Sequence, residues 1–166
     1  MTESILCWAF QRSFVDYVAR LPDGRIAAAD GAEILGDGSF AFPAVEAADE
    51  TPGEATASPG SATSTHGIRR FAGSISFTGH HGMMAVTISA PALLLGAQTD
   101  GPELLMIDDP FEPGQRMVLA TVAPSSAAPR LTEQGADLFL GTYPQGMALE
   151  PIVLTSPNRL DPKDLR

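Results

Sequence analysis

The chain has 166 residues, 44% of them hydrophobic, which is enough for one domain with a sizeable core and too few for two independent domains to be expected. Twenty acidic against ten basic side chains give a net charge of −10, which repels phosphate backbones and anionic lipid and leaves no electrostatic footprint for nucleic acid. A lone cysteine, Cys7, rules out an internal disulfide framework or a multi-thiolate zinc or iron–sulfur site within one chain, and reads as a buried apolar residue.

The N-terminal stretch MTESILCWAFQRSF has no basic start and meets Gln11 and Arg12 before an apolar segment of secretory length can form. No export signal is therefore expected, and the chain as written reads as cytoplasmic. No apolar run approaches the roughly 18 residues that a membrane span needs. Leu6, Phe10, Phe14 and Val18 stand at successive i+4 positions, predicting a helix that starts near Trp8 and ends before Pro22. Asp23 and Gly24 then make a turn, RIAAADGAEIL reads as weak short strands, and SFAFP alternates up to a closing proline. From Ala44 to Gly67 the composition turns to Ala, Glu, Thr, Ser, Pro and Gly. Such a stretch cannot bury enough surface to offset its ordering entropy, so a long mobile loop over 44–67 is expected, inserted within one domain spanning 1–166.

Beyond it, GSISFTG sets Ile75 and Phe77 against Ser74, Ser76 and Thr78, and MMAVTISAP sets Met84, Val86 and Ile88 against Ala85, Thr87 and Ser89. The pair predicts a hairpin whose loop is Gly79-His80-His81-Gly82, with the glycines supplying positive φ and the histidines placed at one end of a sheet. PALLLGAQ, PELLMID and RMVLATVAP add strands, a brief helical turn is expected between Leu131 and Leu140, Gly141 to Gly146 forms a loop, and LEPIVLT is the last strand. Strands outnumber helices and the connections are short. The fold class is therefore mainly β and antiparallel, with an N-terminal helix and one further short helix.

Gly36-Asp37-Gly38 lacks the third glycine and following helix of a dinucleotide loop and is a turn. Asp108 to Glu112 lacks the ligand spacing of a calcium loop and is an acidic turn. Ser13 has no nucleophile elbow around it, so a hydrolase triad is not supported. More informative is the scarcity of tyrosine. Tyr17 lies one helical turn after Ser13, so both can share a face, and Tyr143 lies in a glycine-flanked loop. Taken singly, each is an ordinary core or surface residue, and the two histidines are ordinary turn residues.

Taken together these residues resemble a known family, the HtaA-type haem-binding domain of actinobacterial haem-uptake proteins. The resemblance is carried by Trp8, by Ser13 to Val18 with Gly24, by Gly73 to Gly82, and by Phe139 to Pro151, in the family's order and across nearly the whole chain. It implies a β-sandwich-like domain with short helices, binding ferric haem of the b type for uptake, transfer or storage. It also implies Tyr17 as axial ligand to the haem iron, His80 as its hydrogen-bond partner, Ser13 beside a propionate and Tyr143 flanking the macrocycle. Other haem-uptake proteins would be its partners. Family members usually carry an export signal, and an aromatic often precedes the loop tyrosine where this chain has Thr142.

The chemistry is consistent with those residue types. A phenol ordinarily titrates near 10, so it must lose a proton to ligate iron at neutral pH, and ferric iron stabilises the phenolate directly. An imidazole N–H donated to that oxygen orients it and tunes the charge it gives the metal. If the backbone is extended at His80, His81 points the other way, into solvent. Phe14, Met83, Met84 and Ile88 are candidate wall residues. A binding protein, not an enzyme, is expected, since no distal acid–base machinery is evident. The alternatives are a structural or interaction β-domain that keeps the family fold without the cofactor, and, last, a haem-dependent enzyme.

Overall fold

The structure, a computed structural model, describes residues 4–45, 67–95, 102–123 and 128–156. In chain order the first half forms β1 (Ile5–Trp8), α1 (Arg12–Arg20), β2 (Arg25–Ala29), β3 (Glu33–Ile34), β4 (Phe40–Pro43) and β5 (Ile68–Arg70). The second half forms β6 (Ser74–Gly79), a 3-10 turn (His80–Gly82), β7 (Met84–Ser89), β8 (Ala92–Leu95), β9 (Pro102–Asp108), β10 (Arg116–Thr121), β11 (Arg130–Leu131), α2 (Glu133–Leu138) and β12 (Val153–Thr155). The expected loop over 44–67 falls almost wholly outside the described residues.

Every pairing among the described strands is antiparallel, in three sheets ordered β12-β1-β4-β3, β11-β10-β9-β8-β5 and β2-β6-β7. Among the described residues the fold is thus mainly β, as the alternation predicted, with two α-helices. All three sheets turn an apolar face to one core. Leu6, Trp8, Phe40 and Phe42 come from the first, Leu93, Leu105 and Leu119 from the second, and Ile75, Phe77, Val86 and Ile88 from the third. Phe10 ties the first and third sheets together, stacking on Phe40 at 4.8 Å and meeting Phe77 edge-on at 5.7 Å between ring centroids.

The N-terminal segment differs from the helix expected to start near Trp8. Residues 5–8 form a central strand paired to both β4 and β12, and α1 begins only at Arg12. Phe10, at φ 55, makes the bend between them. A spacing of four is a multiple of the strand period and close to the helix period, so Leu6 and Phe10 satisfy both. What decides is Trp8, buried two residues after Leu6, whose indole N–H donates to the Glu150 carbonyl at 2.8 Å.

From Arg12 onward the helical pattern holds. Phe14 and Val18 are the buried stripe of α1. Phe14 lies edge-on between Phe77 and Phe139, each at 5.1 Å. Packed this way, α1 lies against β2 and β6 and leaves Ser13 and Tyr17 exposed. Cys7, expected to be buried, is only partly so.

Candidate functional site

α1 ends in a tight return. Pro22 cannot continue the helix, the Leu21 N–H donates to the Val18 carbonyl at 3.2 Å, and the Gly24 N–H donates to the Leu21 carbonyl at 3.1 Å. A Cβ at position 24 would stand 1.9 Å from the Val18 oxygen, so only glycine permits this closure. The return leads straight into β2, which pairs with β6 from Arg25↔Thr78 to Ala29↔Ser74. The end of α1 is thereby fixed beside the β6–β7 connection, 63 residues from Tyr17 in sequence.

There the Tyr17 phenol oxygen lies 2.5 Å from His80 Nε2, with the ring centroids 6.0 Å apart. Which atom donates follows from the imidazole tautomer. The hairpin was expected to use its glycines for left-handed backbone. Instead Gly79 is extended at φ −177, and the left-handed residues are His80 (φ 52), His81 (φ 56) and Gly82 (φ 84). Each such non-glycine residue costs about 1–2 kcal/mol. The His81 side chain is 97% exposed, as expected, although the backbone there is not extended.

Tyr17 and His80 open into a cavity of about 610 Å³. α1 contributes Phe14 and Tyr17 to its wall, β7 contributes Met84 and Val86, and the segment after α2 contributes Phe139, Leu140, Thr142 and Tyr143. Met83, 87% exposed, and Leu140, 61% exposed, are large apolar side chains on this lining. Leu140 occupies the left-handed position closing α2, at φ 57. Its N–H donates to the Asp137 carbonyl at 2.9 Å and the Gly141 N–H donates to that of Ala136 at 3.0 Å.

Of the residues predicted from sequence, Tyr17, His80 and Tyr143 line one cavity, as do the candidate walls Phe14, Met83 and Met84. Ser13 lies beside it, its hydroxyl 3.4 Å from that of Tyr143. Ile88 is fully buried in the core and is not part of this lining. Val86, Phe139, Leu140 and Thr142 were not singled out as walls. Periodicity marks Val86 as inward-facing but cannot say which end of the strand opens to solvent.

A second cleft of about 450 Å³ is lined by Cys7, Trp8, Arg12, Asp37, Ser39 and Glu150 with their neighbours. The Ser39 hydroxyl and N–H donate to Asp37 Oδ1 at 2.5 and 2.9 Å and hold its carboxyl below the usual range, with Arg12 contributing less. Burial, and then the Asp37 charge, push the Cys7 thiol up. Among the described residues no cluster of three or more His, Cys, Asp or Glu could hold a bare metal ion.

The HtaA family model, described as Htaa, matches residues 3–155. The chain belongs to the HtaA family. Three solved structures from Corynebacterium glutamicum share its fold at low identity. The C-terminal domain of HtaA is 20% identical with a TM-score of 0.62, covering 93% of this chain and 96% of its own. The N-terminal domain of HtaA is 24% identical with a TM-score of 0.61, covering 92% and 95%. The haem-binding protein HtaB is 20% identical with a TM-score of 0.60, covering 93% of each. No curated protein matches the chain. Among the described residues of this HtaA domain, no helix is long and apolar enough to cross a membrane.

Proposed function

We propose that this HtaA domain binds ferric haem in the cavity between α1, the 3-10 turn and the segment after α2, for uptake, transfer or storage. Tyr17 is the axial ligand and His80 its hydrogen-bond partner. Ser13 and Tyr143 flank the group, Ser13 beside a propionate. The observation that carries the reading is a nearly half-exposed phenol, 2.5 Å from an imidazole nitrogen, opening into an apolar cavity. Family membership supports it, as does the haem-binding description of the structural neighbour HtaB.

The residues present fit the group. The cavity volume falls in the range of cofactor sites, roughly 300–1,000 Å³, and its walls are aromatic, aliphatic and thioether side chains with a few convergent polar groups. Burying about 400 Å² of macrocycle at about 25 cal/mol per Å² would contribute on the order of 10 kcal/mol before association costs. Contact then dominates affinity, while the phenolate sets the electronic state of the iron. Bound haem would supply a ferric centre open to oxygen-donor ligation. The chain's own part is to hold the phenol oxygen in place, through His80, and to keep water from one face. That division of labour suits a carrier more than an enzyme.

Hemin titration of the purified protein, followed by visible absorption, tests this. A saturable spectrum with phenolate-to-iron charge transfer, lost in Tyr17→Phe, is expected. A protein that stays colourless would overturn the reading and favour a β-domain that keeps the fold without the cofactor.

A further inference from the structure

We infer that Asp23 is a positioning residue, whose carboxylate clamps the backbone of the His80–His81 turn and so sets the His80 imidazole against the Tyr17 phenol. The inference deepens the haem-site reading and rests on it for its biological meaning, but not for its first test.

Two consecutive histidines in left-handed conformation need something to hold them there, since the sterics of a side chain at positive φ favour the relaxed alternative. Successive N–H groups in such a turn converge into a small concavity that suits an anion. Here the anion is part of the protein. The His80 N–H donates to Asp23 Oδ1 at 3.2 Å and the His81 N–H donates to Asp23 Oδ2 at 2.5 Å. Both carboxylate oxygens are engaged, one per histidine, and these bonds, with that from His81 foremost, hold the Asp23 carboxyl below its usual range.

The clamp also shares a mount with the phenol. Tyr17 sits in the last turns of α1, and Asp23 follows in the glycine-dependent return that ends that helix. One rigid helix end therefore presents the phenol and grips the turn that carries its partner. A hydrogen bond weakens steeply as its geometry degrades, so a 2.5 Å contact between side chains 63 residues apart depends on such a grip. The exposed His81 ring, 4.0 Å from Asp23 Oδ2, adds little to it; the backbone bonds carry the effect.

The test begins on the haem-free protein, by following the His80 ring-nitrogen resonances in NMR spectra. In the parent chain Tyr17→Phe should move the Nε2 resonance, because it removes the partner of that atom. In an Asp23→Ala background the same Tyr17→Phe change should leave it unmoved. Asp23→Asn keeps one acceptor, should give an intermediate response, and keeps the test open if the alanine variant does not fold. If Tyr17→Phe moves the resonance as far in both Asp23 variants as in the parent, Asp23 serves only stability and the inference is overturned. With hemin added, Asp23→Ala should shift the visible spectrum as His80→Ala does, and the double variant should shift it no further. Additive shifts would also overturn the inference. A parent protein that takes up no hemin would instead sink the haem reading and leave the NMR comparison to decide on Asp23.

Discussion

Two of the hollows among the described residues, the cleft beside β1 and the cavity beside α1, differ in how their polar groups are spent. In the cleft beside β1 those around Asp37 are spent on one another: Ser39 binds Asp37 twice, and Arg12 stands 4.0 Å from the same carboxylate and donates to the Asp37 backbone carbonyl at 3.1 Å. In the cavity beside α1, Ser13 and Tyr143 meet only at 3.4 Å, the Tyr17–His80 pair is exposed, and apolar walls surround them. Backbone strain separates them as well, since His80 and Leu140, both on the cavity lining, are left-handed. A hollow whose polar groups are mutually satisfied is a packing feature with a surface, whereas one that keeps strained backbone, an exposed phenol and uncovered apolar side chains has the makings of a site.

Several substitutions break or sharpen this contrast, in decreasing order of effect. Phe14→Ala removes a buried ring from the cavity wall and the core at once, and should cost about 3–5 kcal/mol of stability in urea denaturation. Tyr17→Ala removes a half-exposed side chain, so it should cost little stability, yet change the ferric visible spectrum more clearly than it abolishes hemin association. An unchanged spectrum would take Tyr17 out of the axial position.

Leu140→Gly should raise stability by about 1 kcal/mol, because glycine carries no penalty at φ 57 and the leucine side chain is mostly exposed. The same change should quicken hemin release. A loss of melting temperature in its place would mean that the leucine packs on the cavity more strongly than it strains the chain.

Asp37→Asn, in the cleft, should cost about 1 kcal/mol at neutral pH and leave hemin titration unaltered. The sign with pH follows from the depressed carboxyl. Its stabilisation is present above the ordinary value of 3.8 and lost as pH falls through the lower folded value, so the acid limb of the stability curve should be shallower in the variant. Alkylation of Cys7 should quicken only modestly there, since burial outweighs Asp37 in raising the thiol.

Much of this architecture was legible in the sequence, and the exceptions have physical causes. The β6–β7 hairpin was plain because strict alternation flanked by glycine admits one pattern and one face. The first ten residues were ambiguous because their apolar spacing suits a strand and a helix alike, and the arbiter is a tryptophan bond to a carbonyl 142 positions away. Ser13 and Tyr17 on one face of α1 followed from helical geometry alone. His80 and Tyr143 entered through resemblance, because a turn histidine and a loop tyrosine have no local pattern that distinguishes them. Asp23 was visible only as half of a turn, its partners lying 57 and 58 residues further on. Leu140 was hidden for the opposite reason. Local preference assigns a left-handed helix terminus to glycine, and Gly141 stood next in line.

The pairing of β1 with β12 has a bearing on how the chain acquires its shape. A central strand near the start waits for a neighbour near residue 154, and the Trp8 indole waits for Glu150. During synthesis the β6–β7 hairpin can zip as soon as it emerges, but the first sheet lacks its edge until nearly all the described residues have left the ribosome. Such long-separation contacts put folding in the slow regime, on the order of milliseconds to seconds, with the closure of the first sheet among its last steps.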